Sequence, residues 1–164
     1  MKIALSKVLC ILAVFPLSIV AQREKSALLP ADQAKEVTSQ CSRQSPKFTD
    51  TWEPSKDQIK EMESAFSRIK GCCKERFRLG DLSNVYMQYA GIVVDGKKLI
   101  YINAFSEFAA TIPVRKNDGT YEMEKSDWWK TSAVIVCDGG NAFWGVLYDP
   151  KSKKFFDLAV NGVG

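Results

Sequence analysis

Residues 85–105 set two apolar runs on either side of Asp95-Gly96. Few short sequences restrict a fold as strongly, because Asp-Gly accepts the positive φ angles of a two-residue type I′ hairpin loop. A fixed loop fixes the register. Ile92 then faces Leu99, Ala90 faces Tyr101 and Gln88 faces Asn103. On the opposite side Gly91 faces Ile100, Tyr89 faces Ile102 and Met87 faces Ala104. The second set is almost wholly apolar and is expected to lie under another layer, since a one-residue slip would turn all of it to water. The first set mixes rings with amides, and is expected to be wet or to line a shallow site.

The covering layer is expected from residues 55–70. Ser55 followed by Gln58 is a capping-box pattern, and Gly71 stands where a helix end favours a left-handed residue. Between them Ile59, Met62, Phe66 and Ile69 fall at helical spacing on one face. Lys56, Asp57, Lys60, Glu61, Glu63 and Arg68 occupy the other, a solvated surface. Burying such apolar side chains stabilises by about 1.5–3 kcal/mol each, which requires a partner surface. The apolar side of the first hairpin supplies one.

A second hairpin is expected over residues 132–148, turning through Asp138-Gly139-Gly140-Asn141. A turn at Asp149-Pro150 then leads to a last strand at 154–160. One helix followed by five strands in meander order implies an α+β domain, with the amphipathic helix packed on a curved, mostly antiparallel five-stranded sheet. Residues 106–130 are too long for an ordinary connection. Asn117-Asp118-Gly119 inside them marks a small excursion hairpin, and Asp127-Trp128-Trp129-Lys130 ends them. One of two adjacent tryptophans is expected to point away from the core, where exposed rings anchor partners.

This helix-then-meander order over residues 55–160 resembles the cystatin-like roll. The resemblance is one of architecture. Cystatins carry a Gln-x-Val-x-Gly hairpin loop, and the stretch here is Ile92-Val93-Val94-Asp95-Gly96, without the glutamine. Cysteine-protease inhibition therefore does not carry over.

The chain begins with Lys2 and Lys7 before an apolar run that ends near Ala21. A basic start, a short apolar stretch with Pro16 inside it and a small residue at the break describe a secretory signal peptide over residues 1–21. No stable membrane anchor is expected after cleavage. Residues 22–52 read as a polar, extended N-terminal segment with a short helix near 30–37, and residues 53–164 as a single α+β domain. Losing the two leader lysines takes the formal charge from +4 to +2. A nearly balanced surface gives no footing for nucleic acid, whose binding rests on clustered positive charge.

Four cysteines follow the leader: Cys41, Cys72, Cys73 and Cys137. An even number in an exported chain implies disulfides. Because Cys72 and Cys73 are adjacent, each is expected to reach a distant partner, Cys41 taking one and Cys137 the other. The connectivity beyond that stays open.

The chain has no histidine at all. That removes Ser-His-Asp and Cys-His catalysis, which need imidazole to take the proton. It also removes imidazole-based zinc sites, and no cofactor or metal is expected. Carboxylates remain at Glu107, Asp138, Asp149 and Asp157, positions where turns use acidic side chains for backbone hydrogen bonding. The expected function is a small exported, non-enzymatic domain, periplasmic or extracellular, that binds another protein in an inhibitor- or immunity-like role. Its candidate contact residues are Trp128, Trp129, Asp138, Asn141 and Phe143. The alternative is a small-ligand or glycan site on the face of Gln88, Tyr101 and Asn103. A carboxylate-dependent hydrolase is the second alternative.

Overall fold

The structure, a computed structural model, describes residues 24–72 and 82–163. The expected leader, Cys10 and Cys73 lie outside the described residues. The chain enters through β1 (Ser26–Leu28), passes a short helix α1 (Ala34–Thr38) and forms β2 (Asp50–Thr51). Helices α2 (Lys56–Ser64) and α3 (Ile69–Cys72) follow, then β3 (Tyr86–Val94) and β4 (Lys97–Phe105). A separate hairpin, β5 (Thr111–Arg115) and β6 (Tyr121–Lys125), precedes β7 (Trp144–Asp149) and β8 (Lys154–Val160). The fold is mixed α+β. Its main sheet has the order β1-β3-β4-β7-β8, with β2 also on β3.

The β3–β4 register is the one that Asp95-Gly96 dictates, from Tyr86 opposite Phe105 to Val94 opposite Lys97. Asp95 and Gly96 take φ of 48° and 74°, as a type I′ loop requires. The outer edge of β3 is covered by two short strands. β1 runs parallel to Met87–Tyr89, and β2 antiparallel to Ile92 and Val93. Residues expected to form an extended segment thus seal a sheet edge that would otherwise invite pairing with other chains.

One face of the sheet packs on the α2–α3 segment. Ile59, Met62, Phe66 and Ile69 are all buried there, against Met87, Tyr89, Ile100, Ile102, Trp144 and Tyr148. Ser55 caps α2 through the expected reciprocal bonds with Gln58. Glu63 joins the layers, its Oε1 accepting from Ser26 Oγ and Tyr89 Oη at 2.8 Å each. The helix is not continuous to residue 70. It tightens into a 3-10 turn at Phe66–Arg68, just after the Ser64 hydroxyl donates to the Glu61 carbonyl, a side-chain bond that competes with helix geometry. Gly71 lies inside α3 rather than beyond a helix end. Gly91 has a different duty: a Cβ there would stand 2.0 Å from the Trp52 carbonyl oxygen, so glycine lets the chain cross the sheet on its way to α2.

Two further expectations fail. Residues 132–137 form no strand, so the second hairpin is absent and β7 stands without it. The cysteine pairing also differs: Cys41 bonds Cys137, with Cα atoms 4.9 Å apart, so neither is held by Cys72. The physical reason is a third layer. Residues 29–43 and 128–143 fold over the second face of the sheet, which brings the two cysteines together at its surface. β8 carries a bulge near Asp157, whose φ is 53°, and this extra residue keeps Leu158 and Val160 on the same face as Phe155.

The disulfide closes a loop of sequence separation 96. Replacing Cys41 and Cys137 together by serine is expected to lower the unfolding free energy by about 3–5 kcal/mol. Urea denaturation of the oxidised chain beside the variant measures this; equal midpoints would remove the bond from the stabilising frame.

Candidate binding surfaces

Gln88, Tyr101 and Asn103 arise on β3 and β4 on the face opposite the helical layer, and they are 0%, 3% and 2% exposed. The amide face is neither wet nor open. Gln88 donates through Nε2 to the carbonyls of Trp129 (2.5 Å) and Ser132 (2.7 Å), and its Oε1 accepts from Val134 N–H (2.9 Å). Asn103 Nδ2 donates to Gln88 Oε1 (3.0 Å) and to the Val134 carbonyl (2.9 Å). Gln40 donates to that carbonyl and accepts from Val136 N–H, while Gln33 accepts from Ala133 N–H. Asn161 Nδ2 donates to the carbonyls of Val136 and Asp138. Side-chain amides thus take up backbone groups of Ala133, Val134, Val136 and Asp138 that a neighbouring strand was expected to satisfy, so this segment is held in place without being a strand.

Arg43 completes the network. It donates through Nη1 to Asn161 Oδ1 (3.0 Å) and through Nη2 to Tyr101 Oη (2.9 Å) and Asn103 Oδ1 (2.5 Å). Its Nε is buried without a partner, and no carboxylate among the described residues pairs with it. Burial pushes the guanidinium below its usual value, opposed by Tyr101; burial pushes the Tyr101 phenol up, opposed by Arg43. An arginine stays charged even so, and a neutral phenol suits it as acceptor. Tyr101 reaches it across Gly145, where a Cβ would stand 2.6 Å from the phenol oxygen. The ring also borders a cleft of about 270 Å³ between residues 44–46 and the β8 bulge. That is below the usual range of small-molecule sites, about 300–1,000 Å³.

The expected partner-contact residues separate. Trp129 is 2% exposed and packs edge-on against Tyr86 and Phe105, with centroids at 5.2 and 6.0 Å. Phe143 is buried beneath Gly139. Both serve the core, because the third layer needs large side chains to fill it. Trp128 is half-buried, its Nε1 enclosed without a hydrogen-bond partner. Asp138 and Asn141 are exposed beside the disulfide-linked Cys137. Of the carboxylates, Asp149 accepts from Lys151 N–H, Ser152 N–H and the Ser152 hydroxyl in a turn, and Glu107 pairs with Lys125. Among the described residues no cluster of three or more His, Cys, Asp or Glu is placed to hold a metal ion.

The exposed chemistry lies in the middle of the long connection. The β5–β6 arm is a two-stranded sheet of its own, turned by Asp118 and Gly119, where Asp118 accepts from Thr120 N–H and Oγ1. Phe108 and Tyr121 are 70% and 69% exposed, and Met123 and Ile112 are 45% and 39% exposed. Lys116 bridges Glu122 at 3.1 Å and Glu124 at 2.5 Å. Asn117-Asp118-Gly119 signalled the turn in the sequence. Ile112, Tyr121 and Met123 stand on a hairpin with no layer over it, which the adjacent tryptophans did not signal. Comparison with protein families, with curated proteins and with solved structures finds no match.

Gln88→Leu keeps the volume roughly but strands the Val134 N–H and the Trp129 and Ser132 carbonyls. At about 1–3 kcal/mol for each buried group left unpaired, and with the Ser132 carbonyl only partly buried, a loss of at least about 3 kcal/mol is expected. Thermal unfolding with calorimetry measures it, and an unchanged melting temperature would show that water replaces the amide.

Proposed function

We propose that this chain is an exported protein that binds another protein, and that the β5–β6 arm is the contact element. One observation carries the reading: four large apolar side chains, Phe108, Ile112, Tyr121 and Met123, stand exposed on or beside one projecting hairpin. An isolated two-stranded hairpin is marginal in water, and exposed apolar surface on an uncovered element marks an interaction site; Tyr121 and Met123 share one face of the arm and Ile112 lies on the other. The body gives the arm a rigid base, since both faces of the main sheet are covered. The Cys41–Cys137 bond is of the kind that persists in oxidising compartments. No helix among the described residues is long and apolar enough to cross a membrane. A likeness of architecture to the cystatin-like roll lends no mechanism.

The test replaces Phe108, Tyr121 and Met123 together by serine. Affinity capture from envelope extract is expected to lose its specific partner, while the melting temperature stays close to that of the parent chain, as surface substitutions leave it. A variant that retains the partner overturns the arm as the contact.

A further inference from the structure

The arm has one blocked edge and one open edge. Ser126 N–H donates to the Ala110 carbonyl at its foot (3.2 Å), and Lys116 N–H to the Thr120 carbonyl near its tip (2.8 Å). These bonds set the phase of the ladder. Ile112 with Glu124 and Val114 with Glu122 exchange the inner bonds, so Thr111, Pro113 and Arg115 of β5 point their backbone outward. Opposite them, so do Tyr121, Met123 and Lys125 of β6. Pro113 has no N–H to offer, and proline at the centre of an outer edge is a device against further pairing. β6 carries no such block. The outward N–H and C=O groups of Tyr121, Met123 and Lys125 make no backbone pairing among the described residues.

Side-chain charge selects what would fit. Glu122 and Glu124 lie on one face of β6 and share the single ammonium of Lys116. One negative charge therefore runs unmatched along the edge, while Tyr121 and Met123 present apolar surface on the other face. A second copy of β6 is a poor occupant. Antiparallel pairing centred on Met123 sets Glu122 against Glu124 of the other copy, and a two-residue slip sets a glutamate against itself.

We propose that β6 takes an added strand from a different protein: an extended segment with Lys or Arg at alternate positions and apolar residues between them. The cations lie beside Glu122 and Glu124, the apolar side chains pack over Tyr121 and Met123, and the main-chain bonds supply the pairing. The proposal rests on the reading of the arm as a protein-binding element and specifies its mode.

The probe is a short fluorescent peptide of alternating lysine and valine, titrated into the intact disulfide-bonded chain and followed by anisotropy. Binding is expected, with an alternating glutamate–valine peptide failing to bind. Met123→Pro removes one outward donor without breaking a bond of the arm, and is expected to weaken binding at least about tenfold. Glu122→Gln with Glu124→Gln weakens it similarly and flattens its salt dependence. A lysine–valine peptide with N-methylated valines, which cannot complete the ladder, gives the same loss with no change to the protein. Undiminished binding by both Met123→Pro and the methylated peptide overturns strand addition, as does absence of binding by the parent peptide. A concentration-dependent dimer that Met123→Pro dissolves overturns the choice of a foreign partner. If these results go against strand addition while the serine variant of the arm still loses its captured partner, the protein-binding reading stands without this mode.

Discussion

Everything on the second face of the sheet depends on one contact, the pairing of Gln88 with Asn103 across β3 and β4. Asn103 Nδ2 donates to Gln88 Oε1, and both amides then reach out to residues 129–134. A buried amide left without partners is unfavourable by about 1–3 kcal/mol for each stranded group. The two side chains therefore hold an irregular segment in one place more firmly than apolar contact would. Apolar packing is tolerant of small shifts, whereas hydrogen-bond geometry is not.

That layer decides where the molecule can meet others. Once residues 29–43 and 128–143 close the amide face, both sides of the main sheet are interior. Trp129, the most conspicuous candidate anchor, is consumed in closing it. Of the large apolar side chains left exposed, Ile112, Tyr121 and Met123 stand on the β5–β6 arm and Phe108 just before it, while Ile135 and Val163 lie elsewhere. Arg43 sits at the hub, a buried cation held by neutral oxygens of Tyr101, Asn103 and Asn161. Such oxygens orient the guanidinium without cancelling its charge, so the hub links β4, the N-terminal segment and the C-terminal residues at some expense in desolvation.

Where the structure follows the sequence, the determining forces are local. Asp95-Gly96 sets a hairpin because few residues accept its backbone angles, and the register of nine pairs follows from that loop. Ser55 and Gln58 start α2 through bonds three residues apart. Asn117-Asp118-Gly119 announces the arm for the same reason. The failures are non-local. Val134, Ile135 and Val136 have strand composition, but the backbone groups of Val134 and Val136 are taken by side chains from positions as far apart as Gln40 and Asn161. The pairing of Cys41 with Cys137 follows from that docking, since no spacing rule brings together residues of separation 96. Reading Gln88, Tyr101 and Asn103 as a site took polarity for exposure, when burial with full hydrogen bonding was the other physical solution.

The sequence by itself determined the first hairpin, its register, the apolar face beneath the helices, the start of α2 and the extent of β8, since each rests on contacts between near neighbours in the chain. It also excluded imidazole chemistry by composition alone. Only the tertiary structure decided which tryptophan is core, which cysteines bond, that the amide face is closed, and that the arm is left with an open edge. These depend on which distant segments come to share a buried surface. Side-chain amides can pair with any backbone they meet, so their partners are set by packing and not by spacing.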